Sequence, residues 1–237
     1  MRAIFLADAH LRDPGDDNYR NIMEFLATLP GRVDTLFILG DFFQFWIGYP
    51  TVAFSRYLPV TDALRRLVDQ GVAIVYLEGN HDFHMGPFFR DALRADIHPG
   101  PVTVTLDGRR LYLCHGDQID RRDYGTRCLR ALLHSPLTRW LTRLVPPAVA
   151  DRIAIWLSSR SKGTRYREEQ RQVTPDLLRR FARQQFAAGA DVVITGHFHL
   201  PLLEEHDGHT LLCLGDWLSH FTYGEWRDGR LTLHRFP

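Results

Sequence analysis

Five short stretches of the chain carry side chains able to hold and polarise a charged group. They are Ala7-Asp8-Ala9-His10, Gly40-Asp41, Gly79-Asn80-His81-Asp82, His115-Gly116-Asp117 and Gly196-His197-Phe198-His199. Each stretch alone is compatible with a polar turn, because Asn, Asp and Gly accept left-handed backbone or bond to it. His115 alone would pass as a satisfied core histidine. Jointly they supply two carboxylates, one amide and four imidazoles from Asp8, His10, Asp41, Asn80, His115, His197 and His199, with no thiolate. A mixed nitrogen and oxygen set of this kind suits Mn, Fe, Co or Zn better than Mg or Ca. Seven ligands are too many for one ion. They suffice for two ions sharing a carboxylate, the arrangement of a two-metal hydrolase. An amide is a weak ligand by itself, so Asn80 makes best sense beside stronger ones.

These residues need elements that bring them to one place. Arg2 to Ala7, Thr35 to Leu39, Val72 to Leu77 and Asp191 to Thr195 are short apolar or β-branched runs and read as buried strands. A ligand stretch follows each of them. Open sheets present ligands at the C-terminal ends of their strands. Helical patterns over Tyr19 to Leu29 and Val52 to Asp69 separate the first three runs, which predicts βαβ units. Three later segments alternate around Asp107-Gly108, Asp207-Gly208 and Asp228-Gly229 and read as hairpins, so the second half of the core is β-rich.

Residues 124 to 188 differ. Leu129, Leu132, Leu133, Leu137, Trp140, Leu141, Leu144 and Val145 recur at helical spacing. Pro146-Pro147 breaks the run, and Ile153, Trp156 and Leu157 continue a second one. The expected organisation is a core of residues 1–123 and 189–237 with a basic helical cap inserted at 124–188.

The net charge of +1 hides an asymmetry. Residues 121 to 183 hold 15 basic and 5 acidic side chains, a net of +10, and the remainder holds 14 and 23, a net of −9. The acidic part would attract cations and the basic insertion phosphate or an anionic surface. The insertion lacks dense aromatic interleaving for base stacking, so nucleic acid is not an expected partner. Cys114, Cys128 and Cys213 are scattered, which argues against a disulfide framework or a zinc knuckle. The N-terminus reaches Asp8 too soon for a signal peptide, and no apolar run approaches a membrane span.

The blocks D-x-H, G-D, G-N-H-D, H and G-H-x-H, in that order and across nearly the whole chain, resemble the signature of the calcineurin-like metallophosphoesterases. The resemblance implies an α/β fold, a sandwich of two mixed β-sheets flanked by helices, here with a helical cap insertion. It implies two divalent ions per chain. Asp8, His10, Asp41 and His199 would hold the first, and Asp41, Asn80, His115 and His197 the second, with Asp41 bridging. His81 would act as the acid or transition-state stabiliser, and Asp82 would orient it.

A narrower resemblance rests on "GDFFQFWIG", "GNHDF", "HGD" followed by Asp123-Tyr124, "GHFHLP" and "LGDW". These stretches, the length and the basic insertion look like the UDP-2,3-diacylglucosamine pyrophosphohydrolases of lipid A synthesis. That family carries Arg where this chain has His81. The resemblance implies Mn, a lipid-linked nucleotide sugar as substrate, and a cytoplasmic location at the anionic inner face of the bacterial inner membrane. Substrate contacts would come from Asn80, His81, Asp123, Ser161, Lys162, Arg165 and His197. Two other readings stay open. One is a phosphoesterase of the same fold acting on another phosphodiester, a nucleotide or a phosphoprotein. The other is a metal-free scaffold, against which the complete ligand set argues.

Overall fold

The computed structural model of the chain describes residues 1–49, 54–141, 144–146, 149, 152 and 175–237. Two mixed sheets form its centre. The first has six strands, numbered here in chain order. They are β1 (Arg2–Leu6), β2 (Thr35–Ile38), β4 (Ala73–Leu77), β6 (Asp96–His98), β12 (Thr222–Arg227) and β13 (Arg230–Arg235), arranged β13-β12-β1-β2-β4-β6. β1, β2, β4 and β6 run parallel, and β12 pairs antiparallel with both β1 and β13. The second sheet joins β7 (Val102–Leu106), β8 (Arg109–Cys114), β9 (Val192–Thr195), β10 (Pro201–His206) and β11 (His209–Leu214) in the order β10-β11-β9-β8-β7. A short ribbon pairs β3 (Trp46–Ile47) with β5 (Asp82–Phe83).

The alternation of side chains along each strand decides the layers. In β1, Ala3 and Phe5 face the second sheet, where they meet Leu113, Ile194 and Leu212. Ile4 and Leu6 face the opposite way, onto helices α1 (Asp17–Ala27) and α2 (Leu58–Asp69). Helix α1 presents Tyr19, Ile22, Phe25 and Leu26 on one buried stripe, and α2 presents Val60, Leu64 and Leu67. A 3-10 turn over Ser55–Tyr57 precedes α2, so its helix proper starts later than the apolar periodicity predicts; residues 52 and 53 lie outside the described residues. All three expected hairpins are present, and each places both turn residues at positive φ, 48° and 81° at Asp107-Gly108, for example. That is the I′ conformation matching the twist of the flanking strands.

The insertion expected at 124–188 divides. Helices α3 (Tyr124–Leu133) and α4 (Pro136–Leu141) follow the His115 loop. Helix α5 (Pro175–Ala187) is a core helix and not part of a cap: its buried Leu178 and Ala182 pack on Val193, Leu211 and Cys213 of the second sheet. It supplies the outer layer on that side, as α1 and α2 do on the other. Ile153, Trp156, Leu157, Ser161, Lys162 and Arg165 lie outside the described residues. The three cysteines are free thiols, and among the described residues no helix is long and apolar enough to cross a membrane.

Candidate metal centre

The loops after β1, β2, β4, β8 and β9 meet along one edge of the sandwich. Backbone bonds tie them together. The Asp8 and His10 amides donate to the carbonyls of Gly40 (3.2 Å) and Asp41 (2.9 Å), and the Gly196 amide donates to His115 (2.8 Å). Two glycines let the loops close. A Cβ on Gly79 would sit 2.2 Å from Asp41 Oδ1, and one on Gly196 would sit 2.6 Å from Asp8 Oδ2. Asp8, His10, Asp41, His197 and His199 all adopt positive φ, between 45° and 69°. Outside glycine this region is strained, and such strain concentrates at functional sites.

Three sets of ligand atoms converge within 4.8 Å of one another: Asp8, His10 and His199; His10, Asp41 and His81; and Asp41, His115 and His197. Asp41 Oδ2 lies 3.8 Å from His10 Nε2, and Asp41 Oδ1 lies 3.5 Å from His115 Nε2, so one oxygen is turned to each side. Asn80 Oδ1 is 3.1 Å from His115 Nε2. The fully buried Asp8 uses Oδ2 to accept the His197 amide at 2.7 Å. Among the described residues its Oδ1 has no hydrogen-bond partner, and it lies 3.7 Å from His199 Nε2 and 3.8 Å from His10 Nε2. An orphaned, buried carboxylate oxygen among imidazole nitrogens is costly unless a cation completes it. The donor set fits divalent metal.

Second contacts fix which nitrogen faces inward. His115 Nδ1 donates to the Leu39 carbonyl at 2.8 Å, and His199 Nδ1 donates to Asp216 Oδ2 at 3.2 Å. In both rings Nε2 is therefore the atom offered to the centre. The Asp216 turn is itself pinned. Its Oδ1 accepts the amides of Leu218, Ser219 and His220, while the next amide, Trp217, donates to the Asp8 carbonyl at 3.2 Å.

The protein groups alone redistribute protons. Burial pushes Asp8 up to about 6, against the pull of His199. Asp41 stays well below the carboxylate range, because the attraction of His115 and then His81 outweighs its burial. His115 rises to about 10 despite burial, through Asp41, whereas burial and the nearby His115 push His197 down to about 4. A metal ion would have to displace the His115 proton.

The Asp82 carboxylate, expected to orient His81, is engaged by the backbone of neighbouring loops. Its two oxygens accept the amides of Asp41 (2.9 Å), Phe42 (2.7 Å), Phe43 (3.3 Å) and Gly79 (3.0 Å) and the Tyr76 hydroxyl (2.5 Å). It clamps the Asp41 loop to the Asn80 loop. The His81 ring is held instead by the Gln44 carbonyl, 2.9 Å from Nδ1. Asp123 is half-buried immediately before α3, where its carbonyl accepts the Arg127 amide. Sequence reasoning missed Gln44, Asp216, Asp117, Arg130 and His134. Gln44, Asp117 and Asp216 lie inside the stretches "GDFFQFWIG", "HGD" and "LGDW" without an assigned role, whereas Arg130 and His134 had no motif to mark them.

Residues 1–201 match the calcineurin-like phosphoesterase family. The chain is 34% identical over 226 residues to a UDP-2,3-diacylglucosamine hydrolase of Pseudomonas aeruginosa, covering 92% of this chain and 91% of that one. It is 32% identical over 219 residues to the protein of the same description from Pseudomonas putida, covering 90% of each. A novel archaeal phosphodiesterase shares the fold, with a TM-score of 0.52 at 16% identity over 99% of both chains. The chain belongs to the calcineurin-like phosphoesterases, metal-dependent enzymes whose His and Asp clusters are the ones assembled here.

Proposed function

We propose that the enzyme hydrolyses the pyrophosphate of UDP-2,3-diacylglucosamine to UMP and 2,3-diacylglucosamine 1-phosphate, a step of lipid A synthesis, with two Mn ions. The relatives described above are named for that substrate. The observation that carries the reading is an exposed apolar stripe beside the centre. Leu129, Leu132, Leu137, Trp140 and Leu144 are 48% to 62% exposed, on and just after helices that begin nine residues beyond His115. Large apolar side chains left in water in one contiguous segment mark a binding surface. Acyl chains are the part of this substrate that would cover them. The basic residues of the same segment would meet phosphate or the anionic face of the inner membrane, placing the enzyme peripherally on its cytoplasmic side.

Asp8, His10, Asp41 and His199 would hold one ion, and Asp41, Asn80, His115 and His197 the other. Ions held there would lower the pKa of a bound water and neutralise phosphoryl oxygens. The protein's own part is placement. Asp8 and Asp41 present fixed carboxylates from strained loops, and Leu39 and Asp216 hold two imidazoles in the ligating tautomer. His81 keeps Nδ1–H on Gln44 and turns Nε2 toward the centre, 3.9 Å from Asp41 Oδ2. From there it would donate to a phosphoryl oxygen or protonate the leaving oxygen. Asn80, His81, Asp123 and His197, with Ser161, Lys162 and Arg165 of the insertion, would contact the substrate.

A second reading, hydrolysis of a simpler phosphodiester, draws on His81 standing where the narrower family has Arg. The experiment compares kcat/KM of the Mn-loaded enzyme for UDP-2,3-diacylglucosamine, UDP-N-acetylglucosamine and bis(p-nitrophenyl) phosphate. Each buried methylene contributes about 0.8 kcal/mol, so a few ordered methylenes favour the diacylated substrate by orders of magnitude. Equal values for the two UDP-sugars would overturn the lipid reading and leave a general phosphoesterase. Leu132→Glu and Trp140→Glu should raise KM for the lipid substrate and leave the diester rate unchanged.

A further inference from the structure

Helix α3 packs Leu133 against the core yet buries a charge beside it. Leu129 and Leu132 face solvent, while Arg130 is only 6% exposed. Its guanidinium reaches three separate stretches of chain. Nη1 donates to the Asp117 carboxylate at 2.7 Å and Nη2 to the Pro99 carbonyl at 2.6 Å. Both nitrogens also approach the Glu78 carbonyl, at 3.4 and 3.5 Å. One turn further on, the His134 amide extends the helix by donating to the Arg130 carbonyl at 2.9 Å. The His134 ring bridges the same loop, with Nε2 3.0 Å from the Gly79 carbonyl and Nδ1 3.3 Å from the Glu78 carboxylate.

The positions of these partners matter. Asp117 lies two residues after His115, and Glu78 and Gly79 directly precede Asn80. Arg130 therefore cross-links the loop that carries His115 to the loop that carries Asn80, the two residues whose Nε2 and Oδ1 lie 3.1 Å apart. A guanidinium fork is rigid and always charged, so it sets direction as well as distance. Asp117 is at least as buried as Arg130, and no other side chain makes an ion pair with it among the described residues.

We infer that Arg130, assisted by His134, is a positioning residue that sets the spacing of Asn80 and His115 and so the affinity of the second ion. The inference rests on the two-ion reading of the centre and is independent of the substrate. It also makes the helix with the exposed leucines and the second-ion loops one mechanical unit. A role in stability alone would weaken both ions alike, whereas positioning weakens one.

The test is calorimetric titration with Mn in two backgrounds. His199→Ala leaves the second site to be titrated alone, and His197→Ala leaves the first. Arg130→Met should weaken Mn roughly 10- to 100-fold in the first background, the usual cost of losing a residue that orients a ligand. It should leave the second background within about twofold. Arg130→Met alone strands the Asp117 charge and can unfold the chain. Arg130→Met with Asp117→Asn removes both charges and should show the same selective loss. Arg130→Lys keeps the charge without the fork and should fall between wild type and Arg130→Met. An unchanged second-site affinity in the paired variant, or equal weakening at both sites, overturns the inference. A wild-type enzyme that takes up one Mn overturns the two-ion reading itself, and the inference with it.

Discussion

The Nδ1 of His81 lies 2.9 Å from the backbone carbonyl oxygen of Gln44. A carbonyl only accepts, so the proton is on Nδ1 and Nε2 is the atom turned to the centre. This geometry separates two roles for one residue. With a proton on Nε2, His81 would donate to the reacting phosphate; without one, it would be one more ligand beside His10 and Asp41. We expect the first. His81→Ala should keep both ions and lower kcat by roughly a hundredfold, the worth of one acid or charge stabiliser. Metal analysis together with turnover checks this, and recovery of activity in excess Mn would show His81 to be a ligand instead.

Asp82→Asn should damage the fold more than the chemistry. The carboxylate accepts four backbone amides and a tyrosine hydroxyl, all in the buried interior. An amide nitrogen in place of either oxygen would face N–H donors. The expected loss is roughly 3 kcal/mol in urea unfolding of the metal-free protein, for buried donors left unsatisfied. Unaltered stability with a reduced kcat would restore Asp82 to the role of orienting His81.

Asp216→Ala should release His199 from its ligating orientation. The carboxylate is the acceptor of His199 Nδ1–H, and its own ionisation lies far below the usual range because His199 and nearby amides overcome its burial. Mn affinity at the site using His199 should fall about 10- to 100-fold. Asp216→Asn, which keeps an accepting oxygen, should recover part of the loss. Equal Mn binding by wild type and Asp216→Ala, measured by equilibrium dialysis, would refute this.

The stabilisation by Mn should grow as pH rises. In the metal-free protein His115 is raised from its ordinary 6.5 to about 10, chiefly by Asp41 working against burial. A raised value means that the protonated ring stabilises the metal-free fold fully below about 6.5 and progressively less as pH climbs toward 10. A bound ion needs that proton gone, so affinity gains about tenfold per pH unit for each proton displaced. The difference in Tm between Mn-loaded and EDTA-treated enzyme should widen from pH 6 to pH 9. A difference that narrows over that range would contradict the assignment of His115 as a ligand.

Much of the arrangement was legible from local pattern. Strands β1, β2, β4 and β9 agree with their apolar runs to within a residue at each end, because burial on both faces demands continuous apolar sequence. The hairpins at Asp107, Asp207 and Asp228 follow from one dipeptide type that tolerates two positive φ values in succession. The gathering of Asp8, His10, Asp41, Asn80, His115, His197 and His199 was readable for a similar reason. Parallel strands in one sheet end on the same side, which gathers the residues after β1, β2 and β4 and, separately, those after β8 and β9; the stacking of the two sheets brings the two groups together.

Tertiary structure decided what depends on direction and distance. Asp82 follows His81 in sequence, yet its carboxylate is taken up by the amides of the Asp41 loop. Helix α5 has the same amphipathic pattern as a cap helix, and only its contact with Val193 and Leu211 makes it a wall of the core. Arg130 is one of 15 basic residues in a basic segment, where the default expectation is a solvated charge. It is buried because Asp117, Pro99 and Glu78, far apart in sequence, surround one point in space. Composition and periodicity specify which face of an element is apolar, and long-range packing alone selects the partner that face, or a single charge, meets.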